Sequence, residues 1–167
     1  MIHSISEFEA GWGDESGSTL KLMRVLTDLS LSTAVAPGFR TLGRLAWHIT
    51  GTPREMLGRT GLSVEGPDPE APPPLAARAI AAAYEGAAKS VLAEVKRTWT
   101  DATLLEDDEM YGERWKRGFT LLALVKHEIH HRAQMTVLMR QAGLKVPGIY
   151  GPALEEWGAF GQEPPSV

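Results

Sequence analysis

The sequence predicts an all-α protein: an up-and-down four-helix bundle with long connections and a short C-terminal helix. Apolar residues recur every three or four positions in four long stretches, and the segments richest in proline and glycine fall between them. Two such stretches lie on each side of residues 65–74, which hold five of the eleven prolines, so the helices come as two pairs. A chain of 167 residues fits a single domain, 1–167, with a core that needs no disulfide or structural metal to hold it.

Ser4 and Glu7 have the spacing of a capping box, and Phe8, Trp12, Glu15, Thr19, Leu22, Met23, Leu26 and Leu29 follow at helical intervals. Gly11, Gly13 and Gly17 each cost about 1 kcal/mol relative to Ala inside a helix, so the first half of this element is expected to be irregular or packed unusually close to a neighbour. Residues 30–38, ending in Pro37-Gly38, form a loop, and a second helix starts near Arg40. Within it, Thr52-Pro53-Arg54-Glu55 reads either as a proline kink or as a fresh N-cap with Glu55 completing a capping box.

Residues 75–99, rich in alanine and carrying Ile80, Tyr84, Ala88, Val91 and Val95 at helical spacing, form the third helix. The acidic stretch 100–118 reads as a solvated connection containing a turn or short hairpin around Tyr111-Gly112. A fourth helix covers 119–142 and is closed by Gly143, and residues 154–160 supply the short last helix.

Composition narrows the function. Apolar residues make up 43% and charged residues 23%, an ordinary globular balance, and no apolar run approaches the roughly 20 residues of a bilayer span. No membrane association is expected, and residues 1–7 lack the pattern of a secretory signal, so a cytoplasmic location is the simplest reading. The net charge is −4 with scattered basic residues, which argues against a nucleic-acid partner. There is no cysteine, so any thiol chemistry uses an external thiol.

The informative segment is Lys126-His127-Glu128-Ile129-His130-His131-Arg132-Ala133-Gln134. At about 100° per residue, His131 projects roughly 40° from His127, in an arc shared with Leu124, Gln134 and Leu138 that should face the core. Two neighbouring inward imidazoles need a reason, and a shared divalent metal supplies one; the alternatives are a solvated pair or core histidines satisfied by backbone and water. His48 lies on the side of the second helix that carries Leu45, Thr52 and Met56, again an inward face. Three histidines from two helices make a facial nitrogen set that leaves coordination positions open. His130, Gln134 and Glu55 are candidates to support these ligands from behind: His130 reads as such a support, a surface residue or an alternative ligand, Gln134 as a partner of an imidazole or water or as a buried structural amide, and Glu55 as a proton carrier or only a capping-box residue. His127-Glu128-x-x-His131 also contains the residues of a zincin helix, but Glu128 projects about 100° from His127, and that analogy is set aside. Leu122, Val125, Ile129, Ala133 and Val137 form a second stripe opposite the histidines, to be covered by another helix or by a second copy in a homodimer.

Leu45-Ala46-Trp47-His48-Ile49, followed about eighty residues later by His127-x-x-His130-His131-Arg132-x-Gln134, resembles the DinB family, also called the DinB/YfiT-like metalloenzymes. The resemblance runs over nearly the whole chain and includes Val146-Pro147-Gly148-Ile149-Tyr150-Gly151-Pro152. It implies a four-helix bundle, often dimeric, with metal histidines at His48, His127 and His131 and with nickel or zinc as the ion. It further implies a thiol S-transferase that joins a low-molecular-weight thiol to an electrophile. A metal-dependent hydrolase and a non-enzymatic stress-related metal-binding protein are the alternatives.

Overall fold

In the computed structural model, which describes residues 1–68 and 70–166, four long helices carry the fold. They are α1 (Ile5–Met23), α2 (Leu42–Gly58), α3 (Ala77–Thr98) and α4 (Arg117–Gln141), with one two-stranded antiparallel hairpin, β1 (Asp107–Met110) and β2 (Glu113–Lys116), between α3 and α4. The all-α bundle expected from the sequence is present. Among the described residues, no helix is long and apolar enough to cross a membrane.

Ser4 caps α1 by accepting from the Glu7 amide at 3.0 Å, and the helix then runs unbroken to Met23. The expected irregularity is not found: a Cβ at Gly11, Gly13 or Gly17 would meet nothing within 4 Å, so these glycines lie on an open face rather than at a tight helix contact. The helix also ends before Leu26 and Leu29, the latter 91% exposed within a short 3₁₀ turn, Asp28–Ser32. Phe8 and Trp12 are buried and stacked, and the Trp12 indole donates to the Ala88 carbonyl at 2.9 Å, fixing α1 against α3.

Helix α2 does not restart at Pro53. It continues to Gly58, and the Thr52 hydroxyl donates to the His48 carbonyl at 2.7 Å instead of capping a new helix. Glu55 is therefore not a capping-box residue. The helix is buried on most of its circumference, from Leu42 and Leu45 through Ile49 to Met56 and Leu57, because it packs against both α3 and α4.

The apolar core falls into two clusters, one around Leu22, Leu42, Ile49, Ile80 and Met139, the other around Phe8, Leu57, Val95, Leu104 and Leu121. The order in which each helix meets them gives its direction. Helices α1 and α4 run from the second cluster to the first, and α2 and α3 run from the first to the second, an up, down, down, up order. The proline-rich connection makes this possible by returning alongside α2: Arg54 donates to the Gly66 carbonyl and Arg44, nearer the other end, donates to the Ala71 carbonyl. An extended chain rises about 3.3 Å per residue, so ten residues cover the roughly 25 Å length of a 17-residue helix.

The hairpin is more than a solvated connection. Its turn residues Tyr111 and Gly112 both have positive φ, 55° and 84°, the requirement of a two-residue type I′ turn. Leu104 and Met110 from this region are buried in the second cluster. Arg117 at the start of α4 binds Asp108 at 2.9 Å and Glu106 at 2.5 Å, which holds the hairpin to the bundle. Gly118 follows where Ile2 crosses: a Cβ there would lie 2.2 Å from the Ile2 carbonyl oxygen.

Candidate metal centre

Helix α4 presents two polar faces at mid-height. Its buried strip is Leu121, Leu124, Glu128, Arg132, Met135, Leu138 and Met139, so two charged residues occupy positions that periodicity assigns to apolar ones. Glu128 accepts from Thr19 at 2.7 Å and from Tyr84 at 2.6 Å, and Arg132 donates to Glu15 at 2.5 Å and to Tyr150 at 2.5 Å. These contacts, three of them between helices and one to the C-terminal segment at Tyr150, form a polar layer between the two apolar clusters. Glu128 thus faces the bundle interior, and burial holds its carboxyl above the usual carboxylate range. The expected second stripe is only partly covered: Leu122, Val125 and Ile129 are half-buried, Ala133 and Val137 exposed.

The adjacent face of α4 carries His127 and His131, and the neighbouring helix α2 directs His48 at them. The ligand-capable atoms of the three rings all lie within 4.8 Å of one another, and among the described residues the group has these three members. The Nε2 atoms of His48 and His127 are 3.1 Å apart, and the His131 ring centroid lies 4.7 Å from that of His48 and 4.4 Å from that of His127. Two imidazole nitrogens that share one ion, each at about 2.0 to 2.1 Å, stand roughly 3.0 to 3.4 Å apart. The spacing fits a common cation.

Charge state fits as well. Burial, then the Arg40 guanidinium and His131, push His48 down to about 4; burial, then His131 and His48, push His127 down to about 4. Burial lowers His131 too, against an opposing hydrogen bond from Gln134. At neutral pH all three rings are uncharged and keep a lone pair for a metal, the form that ligation needs. Three half-buried histidines at this spacing can hold a divalent ion.

Gln134 is exposed, not a buried structural amide. Its Oε1 accepts from the His131 Nδ1 at 2.7 Å while its amide nitrogen donates to the His130 Nε2 at 3.2 Å. That pair of bonds places the His131 proton on Nδ1 and leaves Nε2 for a ligand. His130 stays at the surface as the far end of this chain, outside the cluster. Gln134→Ala is expected to leave folding intact and weaken metal affinity by about 10- to 100-fold; a chelator-competition titration that shows no change would remove Gln134 from the site.

The His48 and His127 rings open onto a cleft of about 700 Å³, whose wall also includes Thr52, Glu55, Met56 and Tyr111. Glu55 shares this cleft with the histidines but does not hydrogen-bond to them; its carboxylate accepts from Arg59 at 2.6 Å and from the Tyr111 hydroxyl at 2.6 Å. Burial, then the Glu55 bond, push the Tyr111 phenol up to about 12, so it remains a donor at neutral pH. Sequence reasoning missed Tyr111. The signal was an aromatic residue at a turn position that usually takes Asn, Asp or Gly: it is the one non-glycine residue with positive φ among those described, and its ring is held by Arg59 and Trp115.

Comparison with known proteins agrees with this architecture. The model of the DinB family matches residues 1–164. The uncharacterized protein YrdA of Bacillus subtilis (strain 168) is 42% identical over 167 residues, the full length of both chains. A DinB-like protein from Bacillus cereus ATCC 10987, known from a crystal structure, is 43% identical with a TM-score of 0.87 over 90% of this chain and 100% of that one. Another DinB-like protein, from Bacillus subtilis, shares the fold at 16% identity, with a TM-score of 0.66 over 86% of this chain and 97% of that one. A family match spanning nearly every residue, with close relatives over the same length, means that this chain belongs to the DinB family.

Proposed function

We propose that this protein is a metal-dependent transferase that joins a low-molecular-weight thiol to an electrophilic small molecule, with nickel or zinc held by His48, His127 and His131. The observation that carries the reading is a cluster of three uncharged imidazoles, two of which, His48 and His127, stand on the wall of an open cleft of about 700 Å³. A structural metal site is closed by a fourth protein ligand, whereas a set of three beside a cleft leaves room for a substrate. A divalent cation held by His48, His127 and His131 would supply positive charge that lowers a thiol's pKa toward neutrality.

The chain's own residues do the rest. His48 and His127 line the cleft and fix the position at which the thiol sulfur arrives; Gln134 keeps the His131 ring in one tautomer. Glu55 accepts the thiol proton, and Tyr111 holds that carboxylate by its 2.6 Å hydrogen bond. As the S–H bond gives up its proton, the sulfur electron pair forms the new S–C bond, and the displaced group leaves with the electrons of the bond that breaks. The thiol comes from solution, because this chain has no cysteine. A zincin-type hydrolase has less support: its base would be Glu128, which is 1% exposed and turned into the bundle against Thr19 and Tyr84.

The test is a matrix of small thiols against chromogenic electrophiles with nickel- or zinc-loaded protein. At least one pair is expected to react faster than with free metal, and Glu55→Gln to lower kcat by about 100-fold at unchanged metal content. Rates equal to free metal for every pair would end the transferase reading.

A further inference from the structure

The histidine cluster separates two clefts of different character. His48 and His127 face the polar one, with Thr52, Arg54, Glu55 and Tyr111, while His131 and Gln134 face a second cleft of about 510 Å³. The second is walled by Val35, Phe39, Leu45, Val137 and Leu138, and Arg40 lies at its margin. Three of these apolar side chains are unusually open for their size: Val35 is 58%, Phe39 67% and Val137 55% exposed.

Arg40 has no carboxylate partner among the described residues, whereas Arg44, one turn further on, is tied to Glu70 and to the Ala71 carbonyl. The loop that offers Arg40 and Phe39 is itself fixed. Leu42 donates to the Thr33 carbonyl at 2.7 Å, Ala34 bridges to Thr41, and Phe39 donates to the Ala36 carbonyl at 3.3 Å. An apolar recess with one uncompensated guanidinium at its edge is complementary to a molecule that is apolar along its body and anionic at one end.

We propose that this second cleft binds an apolar, carboxylate-bearing small molecule, with its body on Phe39, Leu45 and Val137 and its carboxylate on Arg40, and that this molecule is the electrophilic substrate. The cleft and its free cation define the chemistry of the occupant; naming it a substrate rests on the transferase reading. The thiol then enters from the Glu55 and Tyr111 side and the electrophile from the Arg40 side, so the two reactants meet across the three rings without sharing a path.

The test uses 4-phenylbutyrate and its neutral counterpart 4-phenylbutan-1-ol, titrated into methyl-labelled protein with and without metal and followed by NMR. The acid is expected to shift the methyls of Val35, Leu45, Val137 and Leu138 and to bind about five- to tenfold more tightly than the alcohol. Arg40→Gln, at an exposed position, abolishes that preference and leaves alcohol binding unchanged. Equal binding of the two probes, or shifts that map elsewhere, overturns the proposal. So does a wild-type dimer that Val137→Glu converts to monomer while neither probe binds, since the cleft is then a contact between copies. If the acid binds as expected but no apolar carboxylate electrophile is conjugated while another electrophile is, the substrate assignment alone falls, and the anion site and the transferase reading both stand.

Discussion

His127→Ala is expected to yield a folded protein that retains far less than stoichiometric metal after purification without a metal-affinity tag. His127 is the residue that links both partners: its Nε2 lies 3.1 Å from that of His48 and its ring centroid 4.4 Å from that of His131. Without it, two nitrogens from different helices remain, and among the described residues no other ligand-capable side chain belongs to the cluster. The loss should exceed the roughly 10- to 100-fold attached to a supporting contact such as Gln134. Folding survives because the ring is only half-buried on a cleft wall and its environment already disfavours its charged form, pushing it down to about 4. Elemental analysis checks this directly, and equal stoichiometric metal in wild type and variant would mean that His127 is not a ligand.

Arg132→Ala should show the opposite separation, with stability lost and metal retained. Arg132 is 3% exposed and donates to Glu15, Tyr150, Thr19 and the Glu15 carbonyl, so truncation leaves the Glu15 carboxylate and the buried Thr19 hydroxyl without their cation. Glu128 loses a positive neighbour in the same layer, and one of its oxygens already has no hydrogen-bond partner. Breaking a buried pair from one side costs about 3 to 5 kcal/mol, which for a chain of this size is a fall in Tm on the order of 10 °C. A variant that melts within about 2 °C of wild type would show that the polar layer does not hold the helices together.

These two variants also mark what the sequence makes legible. The histidines stand out because imidazoles at i and i+4 share a helical face whatever the rest of the fold does, and His48 sits inside an apolar repeat that must face inward. The buried Glu128 and Arg132 do not stand out, because a charged residue reads as solvent-facing unless its partners are known, and Glu15, Thr19, Tyr84 and Tyr150 are distant in sequence. The same limit applies to Pro53. Proline is a local sign of a helix end, and here tertiary packing on two helices overrides it. Helix directions are likewise set by a non-local fact, the return of the proline-rich segment along α2 through Arg54 and Arg44. Tyr111 enters the site only because a hairpin 56 residues away in sequence brings it to Glu55.

The most direct test of the account is an anomalous-scattering map from a crystal of the nickel- or zinc-loaded protein, collected on both sides of the metal's absorption edge. A single strong peak about 2.0 to 2.1 Å from one ring nitrogen of each of His48, His127 and His131 is the expected result. A peak bound elsewhere, or three rings that turn apart to solvent in the loaded protein, would contradict it.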